Sequence, residues 1–147
     1  MNFRKILIPV DFSSVTEPAV HHGCALAKNL NAAVVLLTVV DDTFPYPELF
    51  SIDTPNEDFY RTLRDKALAS MDTLLAKHGA GLAADRVVTR GKPVQAICDF
   101  AASEKVDLIV MSTHGTSGLQ HALLGSVTER VLHHTPCPVL IFRNPVL

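Results

Sequence analysis

A chain of 147 residues has the length of one α/β domain, and 48% hydrophobic with 19% charged residues excludes intrinsic disorder. Thirteen Lys and Arg against 15 Asp and Glu leave a formal charge of −2, so no basic face for nucleic acid or anionic lipid is expected. The longest apolar run, residues 32–40, is interrupted by Thr38 and falls far short of the ~20 residues of a membrane-spanning helix. The apolar stretch at the N-terminus ends at Pro9-Val10-Asp11, too early for a secretion signal. Cys24, Cys98 and Cys137 lie far apart with no CxxC pair, the usage expected of reduced thiols in a cytoplasmic protein.

Along the chain, five β-rich runs alternate with helix-length segments. Residues 5–10 (Lys-Ile-Leu-Ile-Pro-Val) open the series as a strand. A first helical stripe follows in Val20, Gly23, Cys24, Ala27 and Leu30, with a capping box at residues 14–17, or Thr16 as the cap because of Pro18. Residues 33–40 are the second strand. Tyr60, Leu63, Ala67, Met71 and Leu74 then make a second helical stripe. A weaker strand spans residues 86–90, and Pro93 opens a short helix carrying Val94, Ile97, Cys98 and Ala101. Residues 107–111 form a strand, and Ser126-Val127-Thr128-Glu129 reads as a capping box that starts a last helix after Gly125. Residues 139–142 close the chain. Strands that are apolar throughout are covered on both faces, so the order β-α-β-α-β-α-β-α-β predicts one domain over 1–147: an open parallel sheet, helices on both sides.

In such sheets ligands bind beyond the carboxyl ends of the strands, where the strand order reverses. Asp11 and residues 112–128 lie at such ends. The latter segment holds three glycines, several hydroxyls and a helix start directly after a buried strand. A helix start offers unbonded N–H groups and a partial positive charge, and glycines let an anion approach the backbone, so the segment can cradle a phosphate. The competing reading is an ordinary β-α loop whose glycines serve turns and whose Ser126 only caps.

The chain resembles the universal stress protein family nearly end to end. The likeness rests on Ile6-Leu7-Ile8-Pro9-Val10-Asp11-Phe12-Ser13, on Asp107-Leu108-Ile109-Val110-Met111, and on His114-Gly115. It continues through Leu123-Leu124-Gly125-Ser126-Val127-Thr128-Glu129-Arg130-Val131 and ends in Pro136-Cys137-Pro138-Val139-Leu140. The resemblance implies a Rossmann-like sheet of strand order 3-2-1-4-5 and a stress-response regulator that binds ATP or another adenine nucleotide. Its ATP-binding members carry G-x2-G-x9-G-[ST]. Gly115, Gly125 and Ser126 match that pattern, whereas Ser112 replaces the first glycine, a change expected to weaken binding rather than abolish it. By the same resemblance, Gly115, Gly125, Ser126, Val127 and Thr128 would hold phosphates, and Pro9, Val10, Val39 and Met111 would line an adenine slot. His114 would shape the loop or touch phosphate. Asp11 would sit near ribose, base or a phosphate-bound Mg²⁺, and a plain turn or cap role for it stands equal to that one.

The resemblance also implies a homodimer built on the last strand, with Val139, Leu140 and Ile141 at the two-fold interface and an unnamed regulatory protein partner. Two rivals stand beside this reading: a slow ATPase or phosphotransferase, and a nucleotide-free interaction module of the same fold. Enzyme activity is not expected. No Gly-x-Ser-x-Gly elbow accompanies Ser13, Ser14, Ser112 or Ser126, and Asp11 is the sole general-base candidate. Seven histidines, among them the adjacent pairs His21-His22 and His133-His134, show no metal-ligand spacing, so no metal site is expected. Residues 41–60 hold six carboxylates and no Lys or Arg, the composition of a solvated loop tacked down by aromatics, with a nucleotide lid or a partner-docking loop as alternatives.

Overall fold

Ile6, Leu7 and Ile8 each expose 0% of their surface, so the first strand has no wet face. The computed structural model describes residues 1–41, 57–113 and 124–143. Its elements in chain order are β1 (Lys5–Pro9), α1 (Thr16–Leu30), β2 (Ala33–Val40), α2 (Glu57–His78), β3 (Ala84–Arg90), α3 (Pro93–Ser103), β4 (Leu108–Ser112), α4 (Ser126–His134) and β5 (Val139–Phe142). All neighbouring strands are parallel, in the order β3-β2-β1-β4-β5, as the resemblance implies.

The strand period of two sorts the core into halves. Ile6, Ile8, Val34, Leu36, Leu108 and Val110 meet Val20, Cys24 and Ala27 of α1 and Ala67 and Met71 of α2. Leu7, Val35, Leu37, Ile109 and Met111 meet Ile97, Cys98 and Ala101 of α3 and Val131 of α4. Each large aliphatic side chain fully buried this way contributes about 1.5–3 kcal/mol. Among the described residues no helix is long and apolar enough to cross a membrane. Cys24, Cys98 and Cys137 are free thiols, and burial pushes the pKa of each upward, which keeps them protonated at neutral pH.

Several element ends differ from the sequence expectation. Leu30 is exposed: it is the last residue of α1, which closes at Asn31 in the left-handed region. Neither box at the start of α1 forms: Val15 is the N-cap, and the Thr16 hydroxyl donates to Asp11 instead. In α4 the N-cap is Gly125, with no side-chain cap, so Ser126 is the first helical residue and does not pair with Glu129 as a box. Asp107 precedes β4 rather than opening it. Its Oδ2 accepts the Arg4 and Lys5 amides, both at 2.9 Å, and so ties the two central strands together at their amino ends. The long acidic segment ends earlier than expected, since Glu57 already begins α2, where it pairs with Arg90 at 2.9 Å. The rest of the expected loop, residues 42–56, lies outside the described residues.

Gly23 is what lets α1 lie close against the sheet. A Cβ there would sit 2.5 Å from Ile8 Cδ1, 3.2 Å from Ile8 Cγ1 and 3.4 Å from Val110 Cγ1. Ile8 and Val110 are themselves fully buried and have little room to yield. Gly23→Val is expected to lower stability by about 1–3 kcal/mol, read as a lower urea midpoint at unchanged m-value.

Candidate functional site

Two successive crossovers place the site. The chain leaves β1 for β2 on one flank, whereas the crossover through α3 carries it from β3 to β4 on the other flank of β1. The strand order therefore reverses between β1 and β4, and their carboxyl ends, Pro9 and Ser112, open a crevice.

On the β4 side the chain is fastened at both ends of residues 114–123, which lie outside the described residues together with the candidates His114 and Gly115. The Gly125 amide donates to the Thr113 carbonyl, and the Thr128 hydroxyl donates to the Ser112 carbonyl at 3.0 Å. The Thr113 amide in turn donates to the Phe142 carbonyl of β5 at 3.0 Å. Thr113 and Thr128 are both 5% exposed, so these bonds are sheltered from competing water.

The intrahelical ladder of α4 begins with Glu129 N–H to Gly125 O at 2.9 Å. The amides of Ser126, Val127 and Thr128 thus have no acceptor within the helix and aim at its positive end. This narrows the donor set expected from sequence. The Gly125 amide and the Thr128 hydroxyl are already used to hold the frame, which leaves three backbone amides and the exposed Ser126 hydroxyl as donors. Gly125 has φ −66° and ψ 146°, a conformation open to any residue, so its missing side chain rather than its flexibility distinguishes it.

Pro9, Val39 and Met111 fall on one side of the sheet. Met111 is buried in the α3/α4 half of the core and Val39 packs against it, while Pro9 shares the face of Leu7 by the strand alternation. Val10 departs from this group. Its side chain belongs to the α1/α2 half, its amide donates to Leu37 O at 2.8 Å, and its carbonyl accepts the buried Thr38 hydroxyl at 3.2 Å. It is a core residue, not a wall of the slot.

Asp11 follows as an exposed residue whose Oδ1 accepts the Ser13 amide at 3.0 Å, the Ser13 hydroxyl at 2.7 Å and the Thr16 hydroxyl at 2.8 Å. That is the turn role, and it fixes the carboxylate at the crevice mouth. Between Asp11 and Ser13 the exposed Phe12 takes φ 59°. Sequence reasoning credited Thr128 to the ligand and overlooked Thr113. Both act across the chain, and threonine at a strand end beside a helix start was the only available signal. Among the described residues no three His, Cys, Asp or Glu side chains gather as a metal-binding group.

A parallel sheet of order β3-β2-β1-β4-β5 between two helical layers defines the class, a doubly wound α/β domain. Residues 2–143 match the universal stress protein family, and the chain belongs to it. It is 33% identical to universal stress protein MJ0531 of Methanocaldococcus jannaschii over 97% of this chain and 84% of that one. It superposes on the structure of the protein MJ0577 with a TM-score of 0.86 at 30% identity, covering all of both chains; that protein is a universal stress protein of the same archaeon. A universal stress protein solved in complex with cAMP shares the fold, with a TM-score of 0.68 at 23% identity over 97% of this chain and 98% of the other.

The Thr128–Ser112 bond gives a direct test of the frame. Thr128→Val keeps the shape but removes the hydroxyl's bond to the Ser112 carbonyl, and is expected to cost about 0.5–1.5 kcal/mol in chemical denaturation. Hydrogen exchange should speed up in β4 and the first turn of α4 while β2 and β3 keep their protection.

Proposed function

We propose that this protein is a cytoplasmic regulator, one domain over residues 1–147, that binds ATP or another adenine nucleotide at the β1/β4 crevice and works as a homodimer without turning the nucleotide over. The observation that carries this reading is the start of α4, stapled to the end of β4 so that three amides converge beside an apolar surface. The Ser126, Val127 and Thr128 amides would receive the phosphates, and Pro9, Val39 and Met111 would flank the base. Gly115 and His114 would act from the connecting segment. Mg²⁺, where present, would arrive with the phosphates and near Asp11. The cAMP complex of a relative with this fold supports an adenine nucleotide as the ligand class.

Magnitudes set the division of labour. Three amide bonds to a charged phosphate supply about 5–9 kcal/mol gross. Association consumes about 4–15 kcal/mol of such terms. Phosphate contacts alone therefore bind weakly, and the apolar contact with the base has to supply the remainder. The Asp11 carboxylate is engaged by Ser13 and Thr16 in its turn, a structural role that fits binding rather than hydrolysis as the activity.

Isothermal titration of the full chain with ATP, ADP, AMP and cAMP tests the reading. Wild type is expected to bind at least one of them at micromolar to millimolar concentration. Gly125→Val, whose backbone is unstrained, should weaken that binding by at least about tenfold, or 1.4 kcal/mol, with an unchanged thermal midpoint. Absence of heat with every nucleotide at millimolar concentration would make the protein a nucleotide-free interaction module.

The dimer is proposed on β5, which has β4 on one side and forms an edge of the sheet. Pro138 O accepts the Ile109 amide and Phe142 O accepts the Thr113 amide, so the even-numbered positions face β4. By alternation, Val139 and Ile141 direct their amides to the open edge, and Leu140 is an exposed apolar side chain there. Val139 also packs into the α3/α4 core, so its side chain supports the strand while its backbone is left for pairing. Ile141→Pro removes an outward donor without touching the β4 ladder and should convert a dimer to monomer in sedimentation equilibrium. A monomeric wild type at micromolar concentration would remove the dimer from the account.

A further inference from the structure

On the opposite side of the molecule from α3 and α4, the seam between α1 and α2 carries a cluster the nucleotide reading does not use. His21 of α1 and His78 at the end of α2 bring their Nδ1 atoms to 3.3 Å from each other, although 57 residues separate them in sequence. Their ring centroids are 5.2 Å apart and the planes lie at 74°. His78 Nε2 lies 3.1 Å from Glu17 Oε1, which also takes the Lys77 ammonium. His22 stacks on Phe142 at 4.6 Å and meets His21 edge-on at 5.1 Å.

We propose that His21 and His78 form a two-imidazole site for a divalent transition metal, with Zn²⁺ as the ion its geometry suits. Zn–N bonds of about 2.0–2.1 Å at the tetrahedral angle put two ligating nitrogens about 3.3–3.4 Å apart, with the rings behind them about 5.2 Å apart, centre to centre. Both separations are met. A straight N–H···N bond at the same nitrogen distance would set the centroids about 5.6 Å apart, so the rings are inclined off the line joining the two nitrogens.

Glu17 completes the logic from behind. A carboxylate accepts only, so the His78 nitrogen that faces it is the N–H, and Nδ1 is the ring nitrogen left towards His21. Metal-bound histidines are oriented by carboxylates in this way. The His78 side chain is 11% exposed and held in place, whereas His21 is on the surface, where water can fill the remaining coordination positions. Lys77, the neighbour of His78 in sequence, has its charge met by the same Glu17 oxygen. Imidazole favours Zn²⁺, Cu²⁺ and Ni²⁺ over Mg²⁺ and Ca²⁺, so the site is distinct in chemistry from any magnesium that accompanies a nucleotide. The sequence concealed it because the two ligands come from different helices, and spacing rules look for ligands on one.

The test is zinc chloride added to the nucleotide-free full chain, followed by calorimetry and by imidazole ¹⁵N NMR. One Zn²⁺ per chain is expected, with the Nδ1 signals of His21 and His78 shifting together. His21→Ala, a surface change that leaves the fold alone, should weaken zinc binding by at least about tenfold, and Glu17→Ala by about 10–100-fold. His133→Ala, in the other adjacent pair, should leave it unchanged. Zinc binding that survives His21→Ala, or Nδ1 signals that report only a proton shared between the rings and ignore zinc, would overturn the proposal. Neither result bears on nucleotide binding, which is measured separately.

Discussion

A central strand with no wet face is the constraint from which the rest follows. Ile6, Leu7 and Ile8 alternate sides yet are all excluded from water, so both faces of the sheet require a helical layer. Parallel neighbours then need long crossovers, and covering two faces from one chain means that the crossovers divide between the two sides of β1. Where they divide, the strand order reverses between β1 and β4. The reversal point is thus a product of core burial, and the start of α4 is the described element that brings backbone donors to it.

The same logic explains what could be read before the structure. The strand–helix alternation and the burial of Val20, Cys24, Ala27, Met71, Ile97 and Ala101 are local periodicities, visible in any window of a dozen residues. Contacts between distant residues are not. Asp107 serves the amides of Arg4 and Lys5, more than one hundred positions away, and Thr128 serves Ser112 across the intervening connection. Local rules gave Ser126 the cap of α4, and the family resemblance gave Val10 a place in the slot. In the fold, Gly125 holds the cap position, and the pleat turns Val10 into the other half of the core.

Competition for donors shapes the site. Groups that look available for a ligand in the sequence are the same groups that fasten the loop ends to the sheet, and the frame takes precedence. What remains is three backbone amides and the Ser126 hydroxyl, at a helix start whose position is set by sheltered hydrogen bonds. The amides carry no side-chain entropy to lose when they meet an acceptor. A TM-score of 0.86 at 30% identity shows how far the frame keeps its fold while the sequence changes.

Phe12 has a consequence of its own. A bulky side chain at φ 59° holds its backbone about 1–2 kcal/mol above the ordinary regions. Beside it, the Asp11 carboxylate holds the Ser13 amide and hydroxyl and the Thr16 hydroxyl. One side chain thus anchors both the strained corner and the first residue of α1, so the path from the end of β1 into the helix is set by a single acidic group.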